Sequence, residues 1–310
     1  FVMIFDADFV PAKSTLRRTI HHFTDPTVAM VQTRWEHLNR DLSLLTQSQA
    51  ILLDGHFGIE QTARNRSKRF ITFNGTAGIW RIRAIAEAGG WSHDTLTEDL
   101  DLSYRAQMKG WRCVYLPNLT SPAELPPGMT SFKVQQFRWT KGGAQTTLKL
   151  LPRVLLSKQP LKIKIESFFH LTTFTMHLYM FLLILMMFPA MMLRTNVFGD
   201  ESGWRIAFDM SVLTLATMSG SIYYMVGQRE TRRGWIGKLK YLPMLMALGV
   251  GLSVSNVKAV MEALFGKKSE FVATPKFGDA VGQDRKALIR DKARGRRDLL
   301  PYIELLMGFY

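Results

Sequence analysis

Thr95-Leu96-Thr97-Glu98-Asp99-Leu100-Asp101-Leu102 is the stretch that decides the fold, because it sets three carboxylates among apolar residues just after the turn-like Gly89-Gly90-Trp91. Acids this close repel one another, so the cluster is tolerable where a cation, a metal ion or a proton relay uses it. It is also typical of a helix N-terminus, with Thr97 as the cap and with Glu98 and Asp99 in the first turn. Both interpretations hold together if one carboxylate faces a cleft.

A second acidic motif, Asp6-Ala7-Asp8, follows the apolar run Phe1-Val2-Met3-Ile4-Phe5. Such a run predicts a strand that is buried on both faces, as in a parallel sheet. Residues two apart on an extended chain point to the same side, so Asp6 and Asp8 are predicted to present two carboxylates at the C-terminal end of a central strand. Two hard oxygen ligands suit Mg²⁺ or Mn²⁺ that bridges to substrate phosphates. A solvated turn is the alternative for this short motif.

Strands and helices alternate around these motifs, which predicts an α/β domain over residues 1–130. Strands are predicted at 29–35, 70–73 and 111–116, and helices at 14–22, 42–64 and 82–88. Asn74-Gly75-Thr76 follows the strand predicted at 70–73. Its glycine permits a positive φ or a close approach of the backbone. The loop is either a tight turn or a surface against which a sugar and its leaving group pack.

A helix is predicted from residue 131, and Gln135, Arg138 and Trp139 fall on one of its faces at spacings of three and four. A guanidinium beside an indole and an amide can bind a pyrophosphate or stack against a sugar ring. The alternative is an Arg–Trp pair at a membrane surface. Lysines and arginines alternate with apolar residues along 148–165, so we assign residues 131–166 to amphipathic interfacial helices that contact anionic lipid.

Two long apolar segments predict two transmembrane helices within residues 167–228. The first, 168–193, contains no Asp, Glu, Lys or Arg, and the second, 206–227, contains one charged residue; about 20 apolar residues suffice to span a bilayer. The segment 241–257 is apolar but has basic flanks on both sides, which favours an interfacial or re-entrant helix over a full span. Residues 229–298 then form a cytosolic or interfacial region, and a further transmembrane helix starts within 299–310.

The 310 residues carry a formal net charge of +15 and a pI of about 10.0. Such a surplus indicates an anionic partner: nucleic acid, anionic lipid or a phosphorylated substrate. Because the basic residues flank apolar segments, an anionic lipid bilayer and a nucleotide diphosphate account for the charge better than nucleic acid does. The single cysteine, Cys113, excludes an internal disulfide framework.

Taken in order, four motifs resemble those of family 2 glycosyltransferases: Asp6-Ala7-Asp8, Phe73-Asn74-Gly75-Thr76-Ala77-Gly78, Thr97-Glu98-Asp99 and Gln135-x-x-Arg138-Trp139. Within that family the chain is similar to the membrane-embedded β-glycan synthases. These include cellulose synthase and, closer to this chain, the glucomannan, mannan and xyloglucan-backbone synthases and their bacterial relatives. The segment 264–276 resembles the cytosolic gating loop of these enzymes.

The resemblance implies a partial GT-A-type nucleotide-sugar transferase domain, followed by the interfacial and transmembrane helices. It implies an inverting reaction that depends on Mg²⁺ or Mn²⁺ held through Asp6 and Asp8. It implies that Asp99 is the general base. The other residues that it assigns to the site are the rest of the acidic motif, the donor- and acceptor-binding residues and the gating loop: Thr97, Glu98, Asn74, Gly75, Thr76, Gln135, Arg138, Trp139, Phe271, Thr274 and Lys276.

In the family, strands that contact the nucleotide base precede the position of residue 1, so we expect an N-terminally truncated fragment. The donor therefore stays open between UDP-glucose and GDP-mannose. One hypothesis is a processive synthase that extends and exports a β-linked polysaccharide. The alternatives are a non-processive transferase acting on a lipid-linked acceptor and a non-catalytic export or partner subunit. We expect a multi-pass protein of the bacterial inner membrane with its catalytic domain in the cytosol.

Overall fold

A four-stranded mixed sheet forms the centre of the N-terminal domain in the computed structural model, which describes residues 1–198, 203–231, 234–267, 302–304 and 306. The strands are β1 (Val2–Ile4), β2 (Val28–His37), β3 (Gly78–Trp80) and β4 (Arg112–Ala123). Their order is β1-β3-β2-β4. β3 runs antiparallel to both β1 and β2, and only β2 and β4 are parallel.

The prediction that β1 is a central strand buried on both faces is wrong for this sheet. β1 pairs only with β3 and lies at one end of the described order. Val2 is exposed, and Met3 and Ile4 are half-buried. The strand buried on both faces is instead β2, whose first six residues are all buried.

The prediction of a strand at 70–73 is also wrong, although the segment is buried. Side chains of a neighbouring helix take the place of a strand partner for its backbone. Gln107 accepts the N–H of Ile71 at 3.0 Å and donates to its carbonyl at 2.8 Å, and Ser103 Oγ accepts the N–H of Phe73 at 2.8 Å. Buried backbone groups need partners, and here polar side chains supply them.

Eleven helices are assigned in the described part of the chain. Those of the N-terminal domain are α1 (Thr15–Thr19), α2 (Leu44–Gly55), α3 (Thr62–Arg66), α4 (Ile82–Glu87) and α5 (Glu98–Met108). Those that follow are α6 (Met129–Leu156), α7 (Leu161–Thr172), α8 (Met176–Phe198), α9 (Gly203–Thr231), α10 (Leu242–Gly251) and α11 (Ser253–Leu264). α2 and α3 are joined by a π-helical segment, His56–Gln61, so the helical backbone is continuous from Leu44 to Arg66.

The helices α5, α6 and α7 pack together around a shared apolar cluster, and this packing fixes the acidic motif against the later helices. The cluster is buried and combines residues of all three helices with one residue of the 70–73 segment: Phe70, Leu100, Tyr104, Leu150, Val154, Ile163 and Leu171. α7 buries Ile163, Ser167 and Leu171 on one face and exposes apolar side chains on the other. α7 thus has a buried face and an exposed apolar face.

Among the described residues, one helix is long and apolar enough to cross a membrane, Leu161–Met187. The pair Trp235–Gly251 and Ser253–Leu264 is a second candidate if it counts as one span, although it bends by 41°. Such a bend fits a re-entrant path as well as a broken span, so the re-entrant helix stays a prediction. The second predicted span, 206–227, lies within α9, and its last turns pack on α2: a Cβ at Gly227 would lie 3.1 Å from Gly55 Cα.

Candidate active site

The acidic motif begins α5, and its entry is held against α6. Thr97 stands at the N-cap position, as predicted, but its hydroxyl makes no capping hydrogen bond. It bonds instead to the Thr146 hydroxyl at 3.0 Å, and the Leu96 N–H donates to Gln145 Oε1 at 3.0 Å. At Gly142 a Cβ would come within 2.7 Å of the Thr97 backbone nitrogen. α6 continues through Gly142, where the absence of a side chain lets the acidic motif pack against the helix.

Asp99 faces the loop of the Asn74-Gly75-Thr76 motif. A Cβ at Gly75 would lie 3.3 Å from Asp99 Oδ2, and Gly75 has a φ of +79°. Burial, followed by the nearby charge of Glu98, raises the pKa of Asp99 to about 7. The N–H of Leu100, which donates to Asp99 Oδ1 at 2.8 Å, opposes this rise. A carboxylate with a pKa near neutrality is suited to accept a proton from a substrate.

Arg138 on α6 brings a positive charge to the same place. Burial lowers the pKa of its guanidinium, and the opposing influences come from the carboxylates of Glu98, Asp6 and Asp99. An arginine nevertheless stays protonated near neutral pH. The structure therefore groups Arg138 with carboxylates from two of the predicted motifs, which are far apart in sequence.

Asp6 and Asp8 lie just after β1, but not on an extended strand as predicted. The N–H of Phe9 donates to the Asp6 carbonyl at 3.0 Å, which makes 6–9 a turn. Asp6 is exposed, and its N–H donates to Thr76 Oγ1 at 2.8 Å. Asp8 Oδ2 accepts the N–H of Glu124 at 3.3 Å. Thr76 therefore ties this turn to the loop that faces Asp99.

The two carboxylates fit a Mg²⁺ or Mn²⁺ site that is shared with substrate. Across the described ranges, no group of three or more His, Cys, Asp or Glu side chains is placed to hold a metal ion. Mg²⁺ is commonly bound by one or two carboxylates together with substrate phosphates. Asp6 and Asp8 would supply that protein share, and Asp6 is exposed to solvent.

Gln135, Arg138 and Trp139 are half-buried on α6, in the helix predicted for them. The Trp139 ring lies 6.5 Å from the Trp35 ring, measured between centroids, so an indole from β2 stands beside the α6 motif. Trp35 was not predicted as a site residue, and its strand pattern alone does not distinguish it from a core residue. The gating-loop residues Phe271, Thr274 and Lys276 lie outside the described residues.

A polar chain that sequence reasoning missed holds Asn74. Its amide contacts His56 Nε2 at 3.1 Å and accepts from Gln61 at 2.9 Å. His56 Nδ1 lies 3.0 Å from Glu60, which also accepts from the Tyr223 hydroxyl at 2.8 Å. Although burial opposes it, the hydrogen bond from His56 lowers the pKa of Glu60 to about 2. The sequence signal for this chain was the spacing of four between His56 and Glu60 on a largely apolar helix.

Asp101, the third acid of the opening stretch, has a structural position. It is fully buried, and its carboxylate lies 2.7 Å from Arg105 and 2.9 Å from Lys149. A buried carboxylate between two cations is compensated within the protein. The acidic cluster is thus divided: Asp101 anchors α5 to α6, whereas Asp99 faces the loop.

Comparison with known proteins gives a match to the family described as glycosyl transferase family group 2 over residues 1–219. Glucomannan 4-beta-mannosyltransferase 9 of Arabidopsis thaliana is 34% identical over 100% of this chain and 57% of its own length. Probable glucomannan 4-beta-mannosyltransferase 9 of Oryza sativa subsp. japonica is 35% identical over 91% of this chain and 52% of its own length. The chain therefore spans a little over half the length of these relatives.

Among solved structures, a mannosyltransferase of Pyrobaculum calidifontis in complex with GDP-Man and Mn²⁺ aligns with a TM-score of 0.44 and 18% identity. The alignment covers 86% of this chain and 62% of that one.

Proposed function

Because the chain belongs to glycosyl transferase family group 2, we propose that it transfers a hexose from a nucleotide sugar to the end of a growing β-linked polysaccharide. We take mannose, carried by GDP-mannose, as the first candidate donor sugar. The names of the relatives, which are glucomannan 4-beta-mannosyltransferases, support mannose over the glucose of UDP-glucose.

Asp99 acts as the general base in this proposal. Its carboxylate takes the proton of the acceptor hydroxyl while that oxygen attacks the anomeric carbon, and the nucleoside diphosphate leaves from the opposite side with inversion. The contact with Gly75 and the pKa of about 7 support this role, since a base is most effective when its pKa lies near the working pH. Glu98 keeps the pKa of Asp99 in that range, and Thr97 fixes the start of α5 against α6.

Arg138 stabilises the negative charge that develops on the diphosphate. It shares its surroundings with Asp6 and Asp99, so a diphosphate bound near Asp6 lies within the field of a permanent cation. Asp6 and Asp8 would hold a Mg²⁺ or Mn²⁺ ion, which supplies charge neutralisation at the leaving diphosphate. Asn74, Gly75 and Thr76 form the wall that Asp99 faces, and a side chain at Gly75 would crowd the Asp99 carboxylate, because its Cβ would lie 3.3 Å from Oδ2.

Trp139 and Gln135 bind the acceptor end of the polysaccharide. The indole of Trp139 is a flat apolar surface of the kind on which a sugar ring stacks, and the Trp35 ring lies beside it, tilted by 53°. α6 carries these residues and packs on α7, which is the first part of the candidate span Leu161–Met187. This arrangement supports delivery of the polymer to the membrane, with the gating-loop residues Phe271, Thr274 and Lys276 covering the donor.

The observation that carries the proposal is the grouping of Asp99, Gly75 and Arg138, which come from three motifs separated in sequence. The test uses the full-length protein in proteoliposomes with Mn²⁺ or Mg²⁺ and with GDP-mannose or UDP-glucose in turn. We expect nucleotide diphosphate release together with a polymer from one donor, and loss of both in Asp99→Asn. Short lipid-linked products alone would favour the non-processive alternative, and no release with either donor would favour a non-catalytic subunit.

A further inference from the structure

A cavity of about 550 Å³ lies away from the candidate active site, between α7 and the end of α3. Its α7 wall is a single helical stripe that runs from Lys162 to Thr173 at spacings of three and four residues. Arg64 and Arg69 form the opposite wall. None of the site residues proposed above lines it.

The charges in this cavity are unbalanced. Three cations, Arg64, Arg69 and Lys162, line it together with one carboxylate, Glu166. Arg64 Nε lies 2.6 Å from Glu166 Oε1, so that carboxylate already has a partner. In the part of the chain that the structure describes, neither Arg69 nor Lys162 forms an ion pair with a carboxylate within 4.0 Å. Arg69 donates to the Ser67 carbonyl at 2.8 Å, a neutral acceptor that leaves its charge uncompensated, so the cavity presents two cations to an anion.

The rest of the lining combines two polar residues, His170 and Thr173, with two apolar residues that face outward. Ile165 and Phe169 line the cavity and are 50% and 67% exposed. They lie on the first turns of Leu161–Met187, the candidate membrane span. A cation pair next to exposed apolar side chains at the start of a span matches the boundary between lipid headgroups and acyl chains.

We propose that this cavity binds one anionic phospholipid, with its phosphate at Arg69 and Lys162 and an acyl chain along Ile165 and Phe169. An arginine suits the planar oxygens of a phosphate, and a lysine adds a point charge. The inference uses the membrane placement of α7 from the proposed function but none of the transfer chemistry. A negative result for lipid binding therefore leaves the proposed transfer reaction untouched, and a negative result for nucleotide release leaves the lipid site untouched.

The experiment measures binding of a fluorescent phosphatidylglycerol to the purified full-length protein in detergent by anisotropy. Phosphatidylcholine with the same chains, glycerol phosphate and inorganic phosphate serve as competitors. The test variant is Arg69→Gln with Lys162→Gln, and the matched control is Arg66→Gln with Lys164→Gln, which removes the same charge from the same two segments outside the cavity. Lys162 is exposed, so Lys162→Glu alone is a second test variant that leaves the packing intact.

We expect the test variant to bind phosphatidylglycerol about 30-fold more weakly, since each basic residue near an anionic lipid contributes roughly a factor of five. The control should change affinity by less than about threefold. Equal losses in both double variants would overturn the proposal, as would equal competition by phosphatidylcholine. Competition by inorganic phosphate as strong as that by the lipid would identify a site for free phosphate instead.

Discussion

Replacement of Glu98 by glutamine tests the electrostatics of Asp99 directly. Burial and the Glu98 charge together raise the pKa of Asp99 to about 7. A general base acts in its ionised form, so kcat/KM should rise with pH through this value. The ionised fraction is about 0.1 at pH 6 and about 0.9 at pH 8, which predicts roughly a tenfold rise across this interval.

Glu98→Gln removes a negative neighbour and keeps the shape of the side chain. The pKa of Asp99 should fall, so the acidic limb of the profile should move to lower pH. A fall of about one unit would reduce the ratio of kcat/KM between pH 8 and pH 6 from about tenfold to about twofold. The readout is the position of the limb, which does not depend on whether the variant is slower overall.

The assay is the initial rate of nucleotide diphosphate release at low donor concentration, from pH 5.5 to 8.5 at constant ionic strength. Glu87→Gln is the control, because Glu87 lies on α4 and pairs with Arg83 at 2.7 Å. Its limb should coincide with that of the parent protein. A limb that stays in place in Glu98→Gln, or moves to higher pH, would refute the assignment of this titration to Asp99.

Three further predictions concern the same site. Asp99→Asn should lower the rate by at least about 100-fold. It should also raise the melting temperature more at pH 8 than at pH 5, because a carboxyl whose folded pKa lies above its unfolded value destabilises the fold as pH rises through the folded value. An equal rise at both pH values would contradict the raised pKa of Asp99. Gly75→Ala and Gly110→Ala both place a side chain at positive φ, but a Cβ meets Asp99 only at Gly75 and meets nothing within 4 Å at Gly110. Both variants should lower the melting temperature, and only Gly75→Ala should lower the rate at matched stability. Arg138→Gln should reduce kcat by about 100-fold, and a purely structural role would instead lower the melting temperature with kcat unchanged.

The sequence predicted those elements whose pattern is local. β2, α4 and α6 follow from hydrophobic periodicity, and the long helix predicted at 42–64 is present as α2, the π-helical segment and α3. The 70–73 segment was assigned as a strand because its apolar, β-prone residues suit any buried extended chain. The partners of its backbone, Gln107 and Ser103, lie 36 and 30 residues away on a helix, and no local pattern indicates them.

The same distinction between local patterns and long-range contacts applies to the candidate site. The motif residues Asp99, Gly75 and Arg138 were named from the sequence, and their grouping rests on the packing of α5 against α6. The sequence does not reveal the roles of the residues that hold the motifs in place, because those roles depend on contacts between distant parts of the chain. The role of His56 follows from its contact with Asn74, and the role of Asp101 follows from its ion pair with Lys149.

The side-chain hydrogen bonds to the 70–73 segment also determine how the site can move. Ile71 and Phe73 are tied to α5, the helix that carries Asp99. The chain from Phe73 to Gly75 is two residues long, so Gly75 is attached to the same helix as the carboxylate that it faces. A displacement of α5 therefore carries Asp99 and Gly75 together. α6 is tied to the same helix by the Thr97–Thr146 hydrogen bond and the Asp101–Lys149 ion pair, so the face that carries Arg138 is held to Asp99 and Gly75 as well.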